Sequence, residues 1–134
     1  MMFLFDTSAI IALEKEHKAA LNLVSGLLKK QTGPPQASFV TYYEFLYGTR
    51  NRPPHSQLRA IEFLNNFNCI SATKKTAQIL ASLRHDYEKK GISINLADMI
   101  IASQAKEHNL TLVTTDKIFE KIEDINKIIM QSNQ

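Results

Sequence analysis

Phe3-Leu4-Phe5-Asp6-Thr7-Ser8-Ala9-Ile10-Ile11-Ala12-Leu13 holds a short apolar run, a three-residue polar turn and a second apolar run. Apolar residues without alternation are what a strand buried on both faces requires, so Phe3–Phe5 reads as a central strand of a parallel sheet. Asp6-Thr7-Ser8 offers side-chain oxygens to the first free N–H groups of a helix, and Ala9–Leu13 is expected to be helical at once. A strand that hands directly to a helix opens a βα unit, and the rest of the chain repeats that alternation.

Working outward, Ala20, Leu23, Val24, Leu27 and Leu28 stand at helical spacing as the one buried face expected of a second helix, and Gly33-Pro34-Pro35 stops it. Ala37–Val40 is expected as a strand, with a helix from Thr41 toward Gly48 or Arg50 and a break at Asn51-Arg52-Pro53-Pro54. A helix over Ser56–Phe67 should bury Leu58, Ile61 and Leu64, and Asn68-Cys69-Ile70 is short enough for an edge or connecting strand. Thr73–Lys90 places Ile79, Leu80, Leu83 and Tyr87 on one helical face, with Gly91 at the left-handed C-terminal position. A helix from Leu96 to Lys106, closed by His108-Asn109, leads to a strand at Leu110–Val113. Thr114-Thr115-Asp116 then opens a short helix through Phe119 or Lys121, Ile125–Met130 adds a last strand, and the polar tail Gln131–Gln134 is expected to fray. The pattern predicts one domain over residues 1–134, a three-layer α/β/α sandwich on a four- to five-stranded parallel sheet.

The 134 residues, 44% of them hydrophobic, suffice for one real core. Cys69 is the only cysteine, which excludes an internal disulfide and a thiolate zinc cage and suits a reducing compartment, with the cytoplasm expected. The apolar start has no basic leader, Asp6 interrupts it, and no apolar run approaches the ~20 residues that cross a bilayer. A net charge of +3 is mildly favourable to a polyanionic partner.

Function is read from four acids. Asp6 follows the first strand, Glu44 the second, Asp98 opens the helix before the fourth, and Asp116 follows the fourth. If the strands are parallel in one sheet, all four reach its carboxyl edge, where open α/β sheets bind ligands. Like charges ~4 Å apart repel by about 1 kcal/mol in water and about 4 at an effective dielectric near 20, so the cluster calls for a compensating cation. Mg²⁺ or Mn²⁺ takes such hard oxygen ligands, completed by water and substrate phosphate. The plain alternative is helix capping: Thr41-x-x-Glu44 has the form of a capping box, Asn95-x-x-Asp98 imitates one, and Asp6 and Asp116 could be N-caps. Capping alone would be served by Ser, Thr or Asn, whereas an acid stands at all four positions.

Phe3-Leu4-Phe5-Asp6-Thr7-Ser8, Glu44 with Gly48, Asp98-Met99-Ile100-Ile101-Ala102, and Leu112-Val113-Thr114-Thr115-Asp116 with Phe119 resemble the ordered motifs of a PIN domain. Their separation of 38, 54 and 18 positions between the acids is similar to that in VapC-type toxins of bacterial toxin–antitoxin pairs. The resemblance implies that Asp6, Glu44, Asp98 and Asp116 form an acidic tetrad that binds one or two Mg²⁺ or Mn²⁺ ions and hydrolyses RNA. It also implies a cognate antitoxin, a homodimer, and supporting hydroxyls at Ser8 and Thr115. Relatives often carry an acid or His before the last Phe; Ile118 stands there, so the fourth carboxylate rests on Asp116.

Two other classes stay open on the sequence. A catalytically silent module would keep the fold to hold RNA or protein, its acids serving as caps. A phosphoacceptor receiver is also α/β with clustered Asp, but the first strand ends in a single Asp and no Lys directly follows Val113-Thr114-Thr115. His17, His55, His85 and His108 have no metal spacing. Arg50 and Arg52 could grip phosphate or complement a helix C-terminus, and Tyr42, Tyr43, Phe45 and Tyr47 could stack bases or pack in a core or dimer.

Overall fold

A computed structural model describes residues 2–16, 18–30 and 33–131. Five strands, β1 (Phe3–Phe5), β2 (Gln36–Ser38), β3 (Asn68–Ile70), β4 (Thr111–Thr114) and β5 (Lys127–Ile129), form one parallel sheet in the order β3-β2-β1-β4-β5. Among the described residues the helices are α1 (Thr7–Glu14), α2 (Lys18–Leu28), α3 (Phe39–Gly48), α4 (Pro54–Leu64), α5 (Lys74–Lys89) and α6 (Leu96–Glu107), with a 3-10 turn at Lys117–Lys121. This is the expected α/β/α sandwich on a five-stranded parallel sheet. None of these helices is long and apolar enough to cross a membrane.

The two faces of β1 explain why its sequence does not alternate. Phe3 and Phe5 enter one core layer with Ala9, Ile10 and Leu13 of α1, Val24 and Leu27 of α2, and Ala60 and Leu64 of α4. Leu4 enters the other with Leu83 and Tyr87 of α5, Met99, Ile101 and Ala102 of α6, and Phe119 and Ile122. All three β1 side chains are wholly buried, each worth about 1.5–3 kcal/mol relative to exposure. The strand order turns back at β1: β2 and β3 lie on one side, β4 and β5 on the other. The crevice of an open α/β sheet sits at such a reversal, outside the carboxyl ends of the strands.

Several local expectations are corrected. The second strand ends at Ser38, not Val40, because Ser38 takes the N-cap of α3 and its hydroxyl accepts from the Val40 N–H at 3.1 Å. Glu44 therefore lies inside α3 and the Thr41-x-x-Glu44 capping box does not form; Thr41 is wholly buried, and its hydroxyl has no hydrogen-bond partner among the described residues. Leu58 of α4 and Leu23 and Leu28 of α2 are exposed rather than buried; Ala60, Leu64, Ala20, Val24 and Leu27 hold the inner faces. Gly91 takes the left-handed φ of +73° that ends α5, as expected, and Asn109 does the same after α6 at +52°. Of the tail expected to fray, residues 132–134 lie outside the described residues, as does His17.

Candidate active site

Asp6 leaves β1 at the reversal and is 5% exposed. Its Oδ1 caps α1 by accepting from the Ala9 N–H at 3.0 Å and also accepts from the Ser8 hydroxyl at 2.7 Å. The pairing of Phe5 with Val113 sets Asp6 beside Thr114 on the neighbouring strand, and the Thr114 hydroxyl donates to Asp6 Oδ2 at 2.6 Å. Burial lifts the Asp6 carboxyl from 3.8 to about 6; the Thr114, Ser8 and Ala9 donors oppose the rise and the charge of Asp98 adds to it.

The other three acids are held from different elements. Thr7 donates to Glu44 Oε1 at 2.7 Å, tying α3 to the first turn of α1. Asn95 caps α6 by accepting from the Asp98 N–H at 2.8 Å, and its amide donates back to Asp98 Oδ2 at 2.8 Å. Asp116, exposed, caps the 3-10 turn through Oδ1, which accepts from the Ile118 N–H at 3.0 Å. Burial raises the Asp98 carboxyl above its ordinary value; the Asn95 amide lowers it, and the charges of Asp116 and Glu44 raise it again. Asp98 thus feels each of the other three acids. Among the described residues no Lys, Arg or His forms a salt bridge with any of the four.

Capping and ligand binding are compatible here, because caps use one oxygen each. Glu44 Oε2, Asp98 Oδ1 and Asp116 Oδ2 accept no hydrogen bond among the described residues, and Asp6 Oδ2 accepts only from Thr114. Among the described residues no three Asp, Glu, His or Cys side chains are grouped so that they could hold a metal ion, so the four acids share the sheet edge without closing into a ligand set. Mg²⁺ or Mn²⁺ keep several waters and are completed by substrate phosphate, so an ion held at this edge would draw much of its shell from outside the chain, unlike a closed structural zinc site. An all-oxygen donor set with an uncompensated negative charge fits a hard divalent cation.

Two hydroxyls were missed in the sequence. Thr114, not Thr115, reaches Asp6; among the described residues Thr115 contributes its N–H to Ser8 Oγ at 2.9 Å and no side-chain hydrogen bond. Thr7 supports Glu44. Strand register would have found the first, since position 6 lies one step beyond the Phe5–Val113 pair and position 114 lies beside it. Arg52 forms a bidentate pair with Glu14 at 2.5 and 2.9 Å, which commits it to the end of α1, while Arg50 is exposed. The Tyr42 hydroxyl shares its one proton between the Leu64 and Phe67 carbonyls and Phe45 is buried, whereas Tyr43 and Tyr47 stack on each other in solvent. His55, His85 and His108 are exposed.

Away from the acids, Leu13, Leu21, Val24, Leu28, Phe63 and Phe67 line an apolar groove of about 550 Å³ between α1, α2 and α4. Ser25, Lys29 and Asn66 supply its polar lining.

The PIN domain family model matches residues 3–125. Over 129 residues the chain is 29% identical to Ribonuclease VapC2 of Rickettsia felis, covering 93% of this chain and 95% of that protein. A crystal structure of VapBC2 from Rickettsia felis bound to a promoter DNA fragment superposes with a TM-score of 0.85 at 25% identity, over 98% of this chain and 100% of that one. VapBC-1 from nontypeable Haemophilus influenzae superposes at 0.81 and 25% identity, over 96% and 98% of the two chains.

Proposed function

The chain belongs to the PIN domain family, and from that premise we propose that it is an endoribonuclease dependent on Mg²⁺ or Mn²⁺, the toxin of a type II toxin–antitoxin pair. Residues 1–134 are read as one such domain, working in the cytoplasm. The observation that carries the reading is the set of four acids from four separate elements, uncompensated by any salt bridge among the described residues, three of them with an oxygen that accepts no hydrogen bond there and Asp6 with a single donor on Oδ2. Folding tolerates that repulsion, and a bound cation is its simplest relief.

Asp6 and Asp98 are assigned as principal ligands, Asp116 as a ligand directly or through water, and Glu44 as the residue that orients the attacking water or holds a second ion. A cation held by these carboxylates would supply a water of lowered pKa and would relieve charge on the phosphoryl oxygens. Thr7 keeps the Glu44 carboxylate from turning away, and Ser8 and Ala9 lock Asp6 in plane. In-line attack on the phosphodiester leaves a 5′-phosphate on one fragment and a 3′-hydroxyl on the other.

The apolar groove between α1, α2 and α4 suits a segment of the cognate antitoxin, since exposed Leu21 and Leu28 present surface that only a partner would cover. A second copy of the chain is assigned to the outer face of α3, where Phe39, Tyr43, Leu46 and Tyr47 are exposed together. Purified protein should cleave RNA with Mn²⁺, and Asp98→Asn should abolish cleavage while circular dichroism stays unchanged. Cleavage that survives in both Asp6→Asn and Asp98→Asn overturns the reading. The open spacing of the acids favours one alternative, a silent RNA- or protein-binding module; calorimetry that detects no Mn²⁺ binding would establish it.

A further inference from the structure

We propose that Thr114 is a positioning residue that selects which lone pair of Asp6 faces the cation and ties Asp6 to the backbone of Asp116. The proposal rests on the ion site assigned to the four acids. Thr114 is wholly buried at the end of β4. Its Oγ1 donates to Asp6 Oδ2 at 2.6 Å and accepts from the Asp116 N–H at 2.9 Å. Ser8 forms a second chain of the same kind: its Oγ accepts from the Thr115 N–H at 2.9 Å and donates to Asp6 Oδ1 at 2.7 Å.

Each hydroxyl has one proton, and a carboxylate oxygen only accepts. Both protons therefore go to Asp6, and the 3.2 Å contact between the two hydroxyl oxygens carries neither. The backbone donors at Thr115 and Asp116 leave each hydroxyl only that orientation. The two chains are unequal in their effect. Oδ1 is filled by Ser8 and Ala9, so losing Ser8 leaves it the Ala9 N–H. Oδ2 has Thr114 as its sole donor among the described residues, and its second lone pair is the one left for an ion. Without the Thr114 hydroxyl, Oδ2 has no donor among the described residues, and the half-buried Asp116 N–H loses its acceptor. A single side chain so placed holds two of the four acids in register across β1 and β4.

The test is Mn²⁺ binding to the purified protein, followed by calorimetry and by the electron paramagnetic resonance of the free ion. Thr114→Val keeps the shape and removes the hydroxyl; it should weaken binding about ten- to a hundredfold, the range for groups that orient metal ligands. Thr114→Ser, which retains the hydroxyl, should restore most of that loss, and Ser8→Ala should weaken binding less than Thr114→Val. Thermal melts in EDTA identify a folding defect, which Thr114→Ser would then separate from a positioning role. Wild-type affinity in Thr114→Val, or equal loss in the Val and Ser variants, overturns the proposal while the ion site stands. Failure of the unaltered protein to bind Mn²⁺, with Asp6→Asn no different from it, overturns the ion site itself.

Discussion

Asp6 and Asp124 are both carboxylates held by short hydrogen bonds from hydroxyls, yet their environments push them in opposite directions. Asp124, in the turn before β5, accepts from the Tyr87 hydroxyl at 2.6 Å and from Lys106 at 3.2 Å. The Tyr87 hydroxyl holds its carboxyl below the ordinary value; partial burial works against this, and Lys106 and Lys90 assist. Asp6 has three donors to the two on Asp124 but no cation among the described residues, and it is buried beside another acid, so its carboxyl rises to about 6. A carboxylate that serves the fold is given positive charge by the fold. One that serves a ligand is left short of it, and that deficit distinguishes the sheet edge at β1 from the knot between α5 and α6.

The sharpest way to break this contrast is to neutralise each acid in turn. Asp6→Asn should reduce Mn²⁺-dependent RNA cleavage by at least about a thousandfold, since without the ion the nucleophile reverts toward ordinary water. Asp124→Asn should leave the turnover rate nearly unchanged. Comparable losses in both, measured on one RNA, would erase the distinction.

The next effect is on stability against pH in EDTA. The folded carboxyl of Asp6 is raised above its unfolded value of 3.8, so its contribution is fully present below that value and is lost as pH rises through about 6. The shift corresponds to roughly 3 kcal/mol at most, so urea melts should show this group's contribution falling between pH 4 and pH 7. Asp98, raised in the same direction, adds to the slope. Asp6→Asn should flatten it, and added Mn²⁺ should stabilise the unaltered protein more at neutral pH than at pH 5, where protons compete for Asp6. An identical slope in Asp6→Asn would refute the burial argument.

Asp124 runs the other way. Its lowered carboxyl contributes stability above the unfolded value that disappears as pH falls through the folded one. Because its side chain is 31% exposed, solvent screening should hold the cost of Asp124→Asn to about 1 kcal/mol in urea melts at neutral pH, below the range of roughly 1.5–3 kcal/mol for a hydrogen bond to a charged group. Smallest of all is the solvated Arg84–Glu88 pair on α5 at 3.0 Å: Arg84→Ala should lower stability by only about 0.3–0.5 kcal/mol, and less in high salt.

How much was legible varied with the range of the interaction. The β1 strand, the α5 helix with its Gly91 cap and the 3-10 turn after Asp116 follow from residues within a few positions of one another. The start of α3 was misread because Thr41 and Ser38 are both good caps, and the β1–β2 pairing together with burial of Thr41 chose Ser38. Leu58, Leu23 and Leu28 were assigned inward from helical spacing alone; which stripe of an apolar helix turns inward depends on its neighbours, and the groove between α2 and α4 left some of those side chains uncovered.

By itself the sequence determined the alternation of strands and helices, the parallel sheet that unalternating apolar strands require, and the four acids placed to reach its edge. Those are consequences of local pattern, because periodicity and capping act over one or two turns of chain. Tertiary structure alone decided that Thr114 rather than Thr115 holds Asp6, that Thr7 holds Glu44, and that Arg52 belongs to Glu14. Each of these pairs residues from different elements, and strand register and helix packing, which no short stretch encodes, determine which side chains meet.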